Sequence, residues 1–236
     1  VTTESQIQLG DLDVLVVRKA VKNIHLGVYP PDGRVRIAVP SAMSDTLVRA
    51  RIAERLPWIR RQQARFGGQA RESLREMVNG ESHWYLGRRY RLRVVQSPHM
   101  RGVRLPDHST LELHCPPGAG ASERRAVLED WYREQLRATA APLVKEWADK
   151  MGVTVADWRI RKMKTKWGSC GIEGRRIWLN LELAKKPRRS IEYVVIHELA
   201  HLRVRRHGDD FRALLDETLP NWEHVRAELG ALPIPA

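Results

Sequence analysis

The feature that most constrains this chain lies near its C-terminal end. It is the apolar run Ile191-Glu192-Tyr193-Val194-Val195-Ile196 leading into His197-Glu198-Leu199-Ala200-His201. The apolar run predicts a buried segment. Histidines four residues apart share one face if that segment is a helix. Lys186-Pro187-Arg188-Arg189-Ser190 precedes it, with proline suited to a first helical turn and Ser190 as a possible cap. Burying two imidazoles and a carboxylate is costly unless they are paired or hold a metal. His197 and His201 can offer two nitrogens to one zinc ion at about 2.0–2.1 Å. Glu198 then stands beside the ion, placed to take a proton from a water that the metal activates.

Two histidines leave a tetrahedral ion underfilled, and catalytic zinc takes a third protein ligand. His207, six residues beyond His201, is the expected third ligand; Glu217 and Glu223 are the competing candidates. The spacing equals that of the metzincin motif, but Val204 stands at its glycine position and no methionine follows Met163, so a metzincin is not expected. Gly208-Asp209 reads as a turn and cap, after which a helix from about Asp210 buries Phe211, Leu214 and Leu215. Asp209 and Asp210 are candidates to bond a ligand histidine or to cap that helix.

Upstream, the residues read as an N-terminal β-rich region with one helix, residues 1–117. A catalytic unit, residues 118–236, follows. Strands are expected at Val14–Val17, Ile24–Val28 and Val35–Val39, with a turn at Pro30–Gly33. One helix is expected from about Ser44 to Phe66, kinked at Pro57, with Leu47, Ile52, Leu56 and Ile59 inward. Gly67 to Gly80 reads as a polar connection, followed by hairpins at 84–95 and 103–114. Pro116-Pro117-Gly118-Ala119-Gly120 is the expected boundary. A long helix from about Ser122 to Met151, strands near 153–164 and 176–181, and the site helices complete an α+β chain. No internal repeat is visible.

Residues Lys164 to Cys170 read as a loop lining the site, or as a strand end and turn with a packed tryptophan. In such a loop Trp167 would form a wall, Gly168 would permit close backbone approach, and Ser169 would donate a hydrogen bond. Asn180 would orient the site, bond substrate or serve as a turn-facing polar residue. Cys170 is expected to be a packed thiol. The strand at 176–182 is the candidate edge strand for pairing with an extended peptide; a central strand is the alternative.

The stretch from Lys164 to Cys170, Ile177-Trp178-Leu179-Asn180, the His197 motif, His207 and Leu219-Pro220-Asn221-Trp222 together resemble the YgjP-like metallopeptidases, relatives of the SprT-like zinc proteases. The resemblance extends to Gly80–Tyr90. It implies a zinc-dependent hydrolase with three histidine ligands to Zn2+ and Glu198 as base, and little about the substrate. From the motif itself a zincin-like helix-strand-helix catalytic unit acting on a peptide or protein is expected.

Forty-one basic against 28 acidic residues give a formal net charge of +13, spread over both halves. Arg203-Val204-Arg205-Arg206 and Lys185-Lys186-Pro187-Arg188-Arg189 predict a positive rim around the site. That charge admits nucleic acid as a partner, so a protein-binding or protein-cleaving module at DNA is the alternative reading. No apolar run of about 18 residues predicts a membrane span. Two cysteines form no framework, and a cytoplasmic location is expected.

Overall fold

The structure is a computed structural model that describes residues 2–29, 33–67 and 76–231. Residues 30–32 of the expected turn and 68–75 of the expected connection lie outside the described residues. The architecture is mixed α+β, and the chain forms two compact units, one within Val1–Ser73 and one spanning Leu74–Leu232.

In the first unit, strands β1 (Thr3–Leu9), β2 (Leu12–Lys19), β3 (His25–Tyr29) and β4 (Arg34–Pro40) make one sheet in the order β1-β2-β4-β3. The outer pairs are antiparallel and β2–β4 is parallel. Val14, Val16, Ile37 and Val39 build its core with Val48, Ile52 and Ile59 of helices α1 (Asp45–Glu54) and α2 (Leu56–Gly67). The single kinked helix expected here is thus two, separated at Arg55. Pro57 is the second residue of α2, where a missing N–H costs no helical bond. Leu47 points outward at 44% exposure, and Val48 takes the core position assigned to it. Sequence reading passed over β1 because Ile7 is its one buried residue, as befits an edge strand with a solvated face.

The second unit begins with strands β5 (Ser82–Tyr85), β6 (Arg88–Gln96), β7 (Gly102–Arg104) and β8 (Thr110–Cys115), ordered β5-β6-β8-β7. Here too the outer pairs are antiparallel and the central pair parallel. Strand order and pairing sense repeat those of the first sheet, and a helix follows each sheet. This repeat of topology was invisible in the sequence, because it conserves pairing geometry rather than residues. Helix α3 (Ala121–Lys150) starts from Gly120, not from Ser122, and buries Val127, Leu136 and Leu143 in the same core as Leu92, Leu111 and Leu113.

Strands β9 (Asp157–Arg161), β10 (Gly168–Gly171) and β11 (Arg176–Asn180) form a third sheet in the order β10-β11-β9. Strand β11 is therefore central, the second of the two positions open for 176–182. Its Ile177 and Leu179 are fully buried, and it pairs on both sides. The open edge nearest the histidine motif is β10, which packs against the next helix. It reads poorly as a strand because Gly168-Ser169-Cys170-Gly171 has little β-propensity of its own.

A short 3-10 helix (Leu181–Lys185) leads into α4 (Arg188–Ala200), followed by α5 (Asp209–Thr218) and α6 (Trp222–Ala231). Ile191, Val195, Ile196, Leu199 and Ala200 have no exposure, so α4 is a core helix. Pro187 occupies its cap position; Ser190 is one residue of its first turn, and the hydroxyl is buried without a hydrogen-bond partner. The tip of the β5–β6 hairpin braces the start of this helix. Leu86 N donates to Ala184 O (3.0 Å) and Gly87 N to Lys185 O (3.1 Å). Gly87 has φ +80°, and a Cβ there would meet Pro187 Cγ at 2.8 Å, so both its backbone and its lack of a side chain are needed. Among the described residues no helix is long and apolar enough to cross a membrane.

Candidate metal centre

Helix α4 ends at the motif. His197 and Glu198 lie in its last turn, and His201 is the C-cap residue with φ −64° and ψ −19°. The chain turns at once: Leu202 N donates to Leu199 O (2.9 Å) and Val204 N to Ala200 O (2.8 Å). This tight reversal brings His207 back over the helix end before α5 begins at Asp209. Among the described residues, the group able to share one metal ion is His197, His201 and His207, with one ligand atom of each within 4.8 Å of the others. Glu217 and Glu223 do not join it. Gly208 is the cap residue of α5, without a side-chain cap bond; Asp209 and Asp210 are exposed first-turn residues, favourable to the helix dipole.

The three rings converge. Nε2 of His207 lies 3.0 Å from Nε2 of His197. That is close to the edge of a tetrahedron of ligands at 2.0–2.1 Å from zinc, about 3.3 Å. His201 turns Nδ1 toward Val204 O (3.4 Å), which leaves Nε2 for the centre. Phe211 is buried beneath all three rings, with centroids 5.1, 4.8 and 4.8 Å from those of His197, His201 and His207. Sequence reading placed Phe211 in the core but missed this role, since nothing in its spacing ties it to the histidines. Burial, and then the neighbouring His201 and His207, push His197 down to about 3; burial also lowers His201. Both imidazoles are thereby held neutral, the state a metal ligand requires. Nδ1 of His197 is buried and makes no hydrogen bond. The donor set fits a zinc-type ion.

Glu198 is 5% exposed. Burial pushes its carboxyl up to about 7, while the nearby Lys166 ammonium pulls the other way. The backbone of Gly168 lies directly against it: a Cβ on Gly168 would fall 2.5 Å from Glu198 Oε1 and 2.7 Å from its Cγ. The close approach expected of Gly168 is thus toward Glu198.

Asn180 is 3% exposed, and its amide is fully engaged. Nδ2 donates to Met163 O and Lys166 O, both at 2.8 Å; Oδ1 accepts from Met163 N (3.3 Å) and Glu182 N (3.2 Å). Its backbone N donates to Trp167 O at 2.8 Å. This one residue pins the segment that carries Lys166, Trp167 and Gly168 past Glu198. Ser169 and Cys170 are half-buried on β10; burial first, then Glu198, push the Cys170 thiol up to about 11. Trp167 lies under the Lys186 ammonium, with Nζ 5.3 Å from the ring centre.

On the opposite side, Tyr193 packs 5.7 Å from the His197 ring and stacks on Trp222 (6.4 Å, 8°). Of the remaining histidines, His83 pairs with Glu81, His114 with Glu112 and His224 with Glu228.

A histidine triad beside a buried carboxylate is the donor set of a metal-dependent hydrolase centre. The chain belongs to the YgjP-like family: the model of the YgjP-like metallopeptidase domain matches residues 22–231. The protein is thus a metallopeptidase by family, and it acts on peptide or protein substrates. No curated protein matches the chain. Among solved structures, the metallopeptidase zymogen of Pyrococcus abyssi abylysin is similar, with 21% identity, a TM-score of 0.36, and coverage of 38% of this chain and 90% of that one. The zymogen of Methanocaldococcus jannaschii jannalysin is similar at 18% identity, a TM-score of 0.35, and 39% and 87% coverage.

Proposed function

We propose that the chain is a zinc-dependent peptidase in which His197, His201 and His207 hold the ion and Glu198 is the general base. Residues 118–236 form its catalytic segment, a zincin-like helix-strand-helix build. The convergence of three imidazoles beside the buried carboxylate of Glu198 carries this reading. Zinc held there supplies a Lewis acid that brings the pKa of water toward about 7 and polarises a carbonyl. Glu198, itself held near neutrality, takes the proton of the attacking water and returns it to the leaving nitrogen. Gly168 sets where that carboxylate stands, and Asn180 fixes Gly168. The open edge of β10 offers backbone groups to an extended substrate, with Ser169 on that strand and Trp167 as the adjoining wall.

Glu198→Gln is the direct test. The variant is expected to keep its zinc while kcat falls by about 10²–10⁴-fold, the usual contribution of a general base. Unchanged turnover would refute the role. A second reading, action on proteins at DNA, is favoured by the net charge of +13. It predicts DNA affinity that falls linearly in log–log form with salt; no binding at low salt would leave a DNA-independent peptidase.

A further inference from the structure

The sequence suggests a positive rim built from two basic runs, and the structure adds two cations from other elements. Lys185 is paired with Glu182 at 2.6 Å and Arg189 with Glu228 at 2.7 Å. Beyond these runs, Lys166 and Arg226 also act on the centre. Lys166 lies on the segment pinned by Asn180, two residues before the glycine that touches Glu198. Its charge bears on both Glu198 and His201. Arg226 stands on α6 with its guanidinium 5.9 Å over the Trp222 ring, and Trp222 stacks on Tyr193, which packs on His197. Its charge bears on His197 and Tyr193. Both side chains are exposed, and neither has an acidic partner within ion-pair distance among the described residues. Two unpaired cations thus flank the centre from two different elements.

We infer that Lys166 and Arg226 select substrates carrying a carboxylate next to the scissile bond, so that acidic peptides are the preferred class. The inference rests on the peptidase reading above. A carboxylate that reaches the centre finds these two cations without first breaking an ion pair. The chain's net charge adds a longer-range attraction that speeds encounter with acidic peptides. The carboxylate can come from an Asp or Glu side chain or from the peptide's own C-terminus; the chemistry is the same.

The test uses labelled peptides of one sequence, with Glu or Gln on each side of the scissile bond, each as free acid and as C-terminal amide. Affinity is read by fluorescence anisotropy on the zinc-loaded Glu198→Gln protein, so that no turnover is needed, and kcat/KM is read on the wild type. Carboxylate-bearing peptides are expected to bind about tenfold tighter, the low end for a hydrogen bond to a charged group because both cations are exposed. Lys166→Gln with Arg226→Gln should reduce the preference to within about twofold, and charge reversal at both positions should invert it. A preference that follows the terminal acid supports the inference with the chain terminus as the source; one that follows the Glu side chain supports it with an internal acidic residue. Equal affinity for all four peptides, or a preference that survives the double substitution, overturns it. So does a single-stranded oligonucleotide that displaces the acidic peptide and loses its own affinity in the double variant. Hydrolysis without acid preference would sink this inference alone. Acid-selective binding without hydrolysis would sink only the peptidase reading.

Discussion

Placing an alanine at position 168 tests how the catalytic carboxylate is held. Gly168 has an ordinary negative φ, so the backbone accepts alanine without strain. The obstacle is the new methyl, which would lie 2.5, 2.7 and 2.8 Å from Oε1, Cγ and Cδ of Glu198. Carbon contacts relax at about 3.5–4.0 Å, so roughly 1 Å of movement is required. A strand in a packed sheet yields less readily than a carboxylate with free torsions, so Glu198 must swing aside. A misplacement of that size costs about 10²-fold in rate, or about 2.7 kcal/mol of transition-state stabilisation. Gly168→Ala should therefore lower kcat/KM about a hundredfold while zinc content stays at that of the wild type. Steady-state hydrolysis, elemental analysis and a thermal melt read the three quantities separately. Adding Gly168→Ala to Glu198→Gln should cost nothing further, because the effect runs through one side chain. Wild-type kcat/KM in the single variant, or additive losses in the double, would refute the reasoning.

Other perturbations have defined outcomes. Asn180→Ala leaves the backbone N–H groups of Met163 and Glu182 without their partner, and should destabilise the protein by about 2–4 kcal/mol in denaturant titration; a change under about 0.5 kcal/mol would contradict the pinning role. Phe211→Ala removes the shared floor of the histidine rings, and should cost about 3–5 kcal/mol and weaken zinc binding in a chelator competition; unchanged zinc affinity would separate Phe211 from the site. The Cys170 thiol, pushed up to about 11, should alkylate slowly at neutral pH, with a rate still rising beyond pH 10 and increased by Glu198→Gln; a plateau near pH 8–9 would show that burial and Glu198 do not act on it.

The site was largely written in local sequence. Histidines four apart on a core helix, and a third six residues on, required only that α4 stop at His201 and the chain fold back. Tight reversals of that kind leave signals such as Gly208-Asp209. What escaped sequence reading depends on distant pairing. Strand β10 is held by its partner β11, not by its own residues, so it read as a loop or a strand end, and β11 could not be told from an edge. Asn180 read equally as orienting the site, bonding substrate or facing a turn, because one polar side chain in a strand does not announce four backbone partners. Arg226 and Lys166 lie 60 residues apart and converge only through the packing of α6 and the pinned segment. The repeated sheet topology likewise resides in pairing order.

Zinc stoichiometry tests the central claim most directly. Purified wild-type protein, supplied with zinc and freed of excess, should carry about one ion per chain by elemental analysis. His197→Ala, His201→Ala and His207→Ala should each lose it, while Glu217→Ala and Glu223→Ala keep it. A wild-type protein that retains no zinc, or a His207→Ala variant that retains it fully, would contradict the three-histidine centre.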